Sequence, residues 1–234
     1  MPDILTQINL QGTAIIGAAI IAALILQFVQ AVHFLAYPFR LFITIIHELS
    51  HGFAAILTGG EFSQFIVRLD TSGIAWRRGG WDFVVTPAGY LGTTLLSALL
   101  IVFTTIEGAA SLVLGSLGAF IISSAIIFGW RSLTTLFTGL GSGMGAVFIA
   151  GYTHEHWALF FISLLAVFGC LDAFFDLQDL AFEARLGIPS DDDAAKMATR
   201  FGGSVIFWTW VWTITSLLIV GWAIWFAWLR SALT

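Results

Sequence analysis

The chain has 234 residues, of which 59% are hydrophobic and only 10% charged, and its net charge is −5. Soluble domains carry about 25% charged residues, so this composition excludes a soluble globular protein. Acidity without a basic cluster excludes a nucleic-acid partner. Apolar runs long enough to cross a hydrocarbon core recur along the chain, which makes the lipid bilayer its medium.

The opening residues, MPDILTQINLQGTAIIG, have no basic n-region and no small-residue cleavage site, so no removable signal peptide is expected. Seven transmembrane helices are predicted, at about 14–35, 38–58, 83–106, 111–130, 133–151, 156–180 and 204–229. Together they describe an all-α polytopic membrane protein with a short β-hairpin after the second helix, a single membrane-embedded domain over residues 1–234. Pro38 opens the second span, where its missing N–H costs nothing, and Gly59–Gly60 close it. Trp130, Trp157, Trp208 and Trp228 fall near span ends, as interfacial anchors do.

Seven spans place Arg68, Arg77, Arg78, Arg131, Arg185, Lys196 and Arg200 on the side of the N-terminus and only Arg40 and Arg230 opposite. That bias predicts a cytoplasmic N-terminus and cytoplasmic longer loops. Merging the fourth and fifth spans, which only "WRSL" separates, would erase it.

Two connections have local character. Residues 60–82 read as a β-hairpin around a turn at Asp70–Gly73, with a second turn at Gly79–Gly80. Residues 190–201 read as a short cytoplasmic helix, with Ser190 as N-cap and Asp191, Asp192 and Asp193 in the first turn. Capping explains the three aspartates better than calcium, because their spacing is not that of a calcium loop. "GLGSGMG", Gly139–Gly145, has no lysine for a phosphate loop, and its glycines four apart suit close helix packing in lipid. Cys170 is the single cysteine and has no partner for an intrachain disulfide.

Ionisable residues in the interiors of the predicted spans are confined to two helices. The second carries His47, Glu48 and His51; the sixth carries Asp172, Asp176 and Asp179. Such a group costs at least about 2.5–3.5 kcal/mol in hydrocarbon, so it normally faces a partner, a cavity or a metal. His47 and His51, four residues apart, project from one helix face and can share an ion, while Glu48 lies beside them. This is His-Glu-x-x-His, the zinc motif whose glutamate acts as general base on a water molecule. The three aspartates also share one face, at a depth matching the histidines. A solvated helix end is the alternative for them, most of all for Asp179. His154 and His156 read as an outer loop, and His33 as an interfacial residue.

"HELSHGFAAILTGGEF", then "SGIAWRRGGWDFVVTPAGYLGTTLLSALL", "LDAFFDLQDL" and "PSDDDAAKMATRFGG", resemble the M50 family of intramembrane zinc metalloproteases, the site-2 proteases, and most closely the M50B-like branch. The resemblance runs from about Ile43 to the C-terminus. It implies that His47 and His51 ligate zinc, that Glu48 is catalytic, and that Asp176 in "FDLQDL" is the third ligand. Asp172 is the alternative to Asp176. It implies hydrolysis of peptide bonds in or near the membrane helices of protein substrates, and the charge bias puts the site toward the cytoplasmic side. "TPAGYLG" is similar to a stretch near the family's active site, with Tyr90 standing where proline is usual. The resemblance also gives the hairpin a role, either in strand addition, for which Phe62–Leu69 is the candidate strand, or as a structural cap over the mouth of the site. Two other readings use the same residues: a catalytically inactive M50-like binding protein, and a metal-ion transporter.

Overall fold

The structure, a computed structural model, describes residues 2–230, with side chains from residue 11 onward. Its elements are α1 (Pro2–Phe28), α2 (His33–Leu57), β1 (Glu61–Val67), β2 (Gly73–Arg78), α3 (Asp82–Val85), α4 (Ala88–Phe103), α5 (Ala110–Phe128), α6 (Leu133–Tyr152), α7 (Glu155–Arg185), α8 (Asp193–Phe201) and α9 (Val205–Ile224). A π-helical turn, Trp225–Leu229, extends α9.

Among the described residues, six helices are long and apolar enough to span a membrane, and α4 is a shorter apolar helix. They follow the seven predicted segments. The fourth and fifth are separate, α5 and α6, with the connection Gly129–Ser132 between them and the Ser132 hydroxyl capping α6. Their contact is the close one that the glycine spacing foretold. Gly139 lies against Ala125, and Gly143 against Gly118 and Ile122, so that a Cβ at either glycine would collide.

Several boundaries differ from expectation: α1 runs from Pro2 to Phe28 rather than over about 14–35, and α7 continues to Arg185 rather than ending near 180. α2 begins at His33 and carries Pro38 inside it, one turn further in than a helix-opening proline. The third segment is broken: α3 ends at Val85, and Pro87, which has no N–H to donate, precedes α4. The break matters at the site described below.

The hairpin forms as predicted, with β1 antiparallel to β2 from Glu61–Arg78 to Val67–Gly73 and an irregularity between Phe62 and Gln64. Its tip turns over Arg68–Ser72, where the Asp70 carboxylate accepts from the Ser72 N–H at 3.0 Å and Thr71 adopts φ 68°. The tip hangs on α2: the Tyr37 hydroxyl donates to Leu69 O at 2.7 Å and the Thr44 hydroxyl to Thr71 O at 2.8 Å. β1 is the inner strand. Phe62, Phe65 and Val67 are buried, and Val67 is held from α6, its N–H donating to Thr135 Oγ1 and its carbonyl accepting from Thr134 Oγ1.

The main core lies where α2, α4 and α7 meet. Ile45, Leu49, Ile101, Ile162 and Phe168 are all buried there. α9 closes α4 on its far side, with Thr94 and Ser216 hydrogen-bonded at 3.1 Å. A second, small core holds α8 in place: Ala194 and Met197 are buried against Leu177 of α7 and Trp212 of α9.

Candidate metal centre

α2 places His47 and His51 one turn apart, with their Nε2 atoms 3.1 Å from each other. The His51 ring is fixed from behind, its Nδ1 lying 2.7 Å from the Val85 carbonyl. Val85 ends α3, so its carbonyl has no helical donor of its own and is free to accept. That contact makes Nδ1 the donor nitrogen of His51 and leaves Nε2 with a free lone pair. His47 is held by Tyr90, whose ring meets it edge-on at 4.6 Å and stacks in turn on Trp212 at 5.8 Å.

α4 can approach this closely because residue 89 has no side chain. A Cβ on Gly89 would collide with the Nε2 atoms of both histidines. Gly73, the first residue of β2, stands over Glu48 in the same way, since a Cβ there would meet the carboxylate. Glu48 is thus buried, at 7% exposure, between its own helix and the hairpin.

The third acidic group comes from α8. Asp193 Oδ2 lies 3.0 Å from His51 Nε2 and 3.5 Å from His47 Nε2. Burial works to raise the Asp193 carboxyl, and the two imidazoles overcome it, holding the group well below the usual carboxylate range. Its other oxygen is 3.4 Å from Lys196 Nζ. Among the described residues, the group of side chains able to hold a metal ion is His47, His51 and Asp193, whose donor atoms all lie within 4.8 Å of one another.

The donors suit zinc. Tetrahedral coordination with bonds of about 2.0–2.1 Å sets neighbouring ligand atoms roughly 3.3 Å apart, and the three separations here are 3.0, 3.1 and 3.5 Å. Two imidazoles and one carboxylate leave a fourth position for water or substrate, as in catalytic rather than structural zinc sites.

Asp176, expected as the third ligand, is not in this group, and neither is Asp172. Both stand on α7 and line the same cleft, a space of about 520 Å³ that also receives His47, Glu48, His51 and Asp193. This placement has a physical reason. α8 docks its Ala194–Met197 face between α7 and α9, which puts Asp193 against the histidines and the α7 carboxylates beside the centre. Ser190, expected as N-cap, is not the cap either: Asp192 accepts from the Ala195 N–H at 2.8 Å, and Asp193 is the first helical residue. A signal for Asp193 was present in the pattern. It lies four residues before Met197, on the edge of the short helix's apolar stripe, whereas Asp191 lies outside the helix. The cleft is lined by β2 and the hairpin tip, not by β1. Asp179 is exposed and absent from the cleft lining.

The family model described as Peptidase M50B-like matches residues 18–223. No curated protein and no solved structure matches the chain.

Proposed function

The chain belongs to the Peptidase M50B-like family, and from that premise we propose that it is a zinc-dependent endopeptidase that cuts peptide bonds in or next to the transmembrane helices of other proteins. One observation carries the reading: two imidazole nitrogens and a carboxylate converge to 3.0–3.5 Å, with a buried glutamate beside them, on a helix that is apolar and long enough to cross a membrane.

His47, His51 and Asp193 would hold the zinc, which when bound would supply a Lewis acid to polarise a carbonyl and make water nucleophilic near neutral pH. Glu48 takes the proton of the attacking water at its carboxylate and returns it to the departing amine nitrogen. The His51 Nδ1 contact with Val85 keeps the imidazole in the orientation that ligation needs. A transmembrane substrate must unwind before its peptide bond is reachable. The free edge of β2 lies along the cleft and offers main-chain hydrogen bonds to an extended segment whatever its side chains. The seven-to-two bias of basic residues supports a cytoplasmic N-terminus and a site that opens toward the cytoplasm.

The test is elemental analysis of the detergent-purified chain together with cleavage of a fluorogenic transmembrane model peptide. Glu48→Gln should keep about one zinc per chain and lose cleavage by roughly 10²–10⁴-fold. Full activity in Glu48→Gln would refute the mechanism. A wild-type chain that holds no zinc after chelator-free purification would move the reading to an inactive binding protein.

A further inference from the structure

The cleft extends beyond the metal centre to a pair of carboxylates that the reaction does not use. Asp172 and Asp176, one turn apart on α7, line it beside Thr44 of α2. Asp172 is only 6% exposed. Among the described residues it has neither a hydrogen bond nor an ion-pair partner in contact. Asp176, a turn nearer the α8 end, is exposed. Arg40 on α2 is the cation whose field reaches both, yet it forms no ion pair with either. A carboxylate this buried without a contact partner is costly unless a cation or a proton donor joins it.

We propose that Asp172 and Asp176 form a subsite for a basic side chain, lysine or arginine, of the polypeptide bound in the cleft. The inference rests on the peptidase reading and names a substrate class for it. Three features select that ligand. Two carboxylates four residues apart on one helix face can grip one ammonium or guanidinium from adjacent turns. They fall short of the three-donor group that the histidines and Asp193 make, so a side-chain cation suits them better than a second metal. The remaining cleft cations stand off α7: Arg68 and Arg77 belong to the hairpin and Lys196 to α8, and the α7 wall itself carries only acids. An extended chain lying along β2 would meet acceptors for a basic residue on the α7 side of the cleft. Membrane proteins concentrate lysine and arginine at the cytoplasmic ends of their spans, so the subsite would bring that border to the metal centre.

The experiment measures binding on the full-length Glu48→Gln protein in detergent, so that the probes survive. The probes are short fluorescein-labelled peptides of valine, alanine and leucine that differ only in a central lysine, norleucine or glutamate, followed by anisotropy. The lysine peptide should bind roughly tenfold or more tightly than the norleucine peptide, and the glutamate peptide more weakly than both. Adding Asp172→Asn and Asp176→Asn should collapse the lysine-to-norleucine ratio toward one while zinc content stays at the parent value. Asp176→Asn alone, at an exposed position, should reduce the ratio in a variant with no buried change to unfold it.

Equal binding of lysine and norleucine peptides by the parent, or a ratio that survives both substitutions, would overturn the subsite alone. So would a second zinc per chain that is lost in the double variant, since a metal would then occupy the pair. Wild-type protein, assayed alongside, separates the two levels: if no peptide is bound and none is cut, the peptidase reading falls and the subsite falls with it.

Discussion

α2 and α8 bring candidate ligands to one centre and hold them in opposite ways. In α2 the two histidines are placed by helical periodicity, within a helix whose neighbours Ile45, Ile46 and Leu49 are buried in the main core. Their spacing survives any disturbance that leaves the helix intact. In α8 the aspartate is placed by docking. A nine-residue helix is too short to be stable alone in water, and it stays in position through Ala194 and Met197, the pairing of Arg200 with Asp82, and the edge-on contact of Phe201 with Phe83 at 5.4 Å. One half of the centre is written into secondary structure, and the other half is tertiary structure throughout.

The largest effect should come from breaking the periodic half. His47→Ala or His51→Ala should abolish stoichiometric zinc and reduce cleavage by at least about 10³-fold, read by elemental analysis and peptide turnover. Next is the docked ligand. Asp193→Ala should also release zinc, whereas Asp176→Ala should leave about one zinc per chain; retention in the first and loss in the second would restore the α7 aspartate as ligand. Third, Met197→Ala touches no ligand but removes the residue that anchors α8. Truncating a fully buried methionine costs about 2 kcal/mol or more, so zinc affinity should fall roughly tenfold or more while circular dichroism of the bundle is unchanged. If affinity is unchanged, Asp193 is held by something other than docking. The smallest effect belongs to Asp82→Asn. The carboxylate of Asp82 pairs with Arg77 at 2.5 Å and with Arg200, but all three are partly solvated, and such pairs contribute about 0–1 kcal/mol. Its loss should weaken zinc by a few-fold at most, an effect that added salt should mimic.

The same contrast explains what the sequence disclosed. Helices announce themselves by apolar length, so α1, α2, α5, α6, α7 and α9 were legible, and the charge bias separated α5 from α6. His47, Glu48 and His51 were legible because their relation is local. The hairpin followed from its turn residues, although which strand faces the cleft did not, since that depends on Thr134 and Thr135 reaching Val67 from some seventy residues away. Asp193 was hidden because three adjacent aspartates before a short helix have a sufficient local explanation in capping. Asp192 does cap. The place of its neighbour Asp193 at the edge of the apolar stripe was the one local signal, and nothing local to residues 190–201 reveals where that helix will lie. The break before α4 could be read at Pro87, but not that it frees the Val85 carbonyl for His51.

The docked position of α8 also bears on how the centre is assembled. The segments long enough to cross the bilayer do not include it, so their insertion does not depend on it. The last of them, α9, follows α8 in the chain and carries Trp212, half of the surface that receives Met197. The surface that receives α8 is therefore complete only when α9 is in place. On the proposed reading, a chain still threading into lipid would lack its third zinc ligand, and zinc capture would be the closing step of maturation.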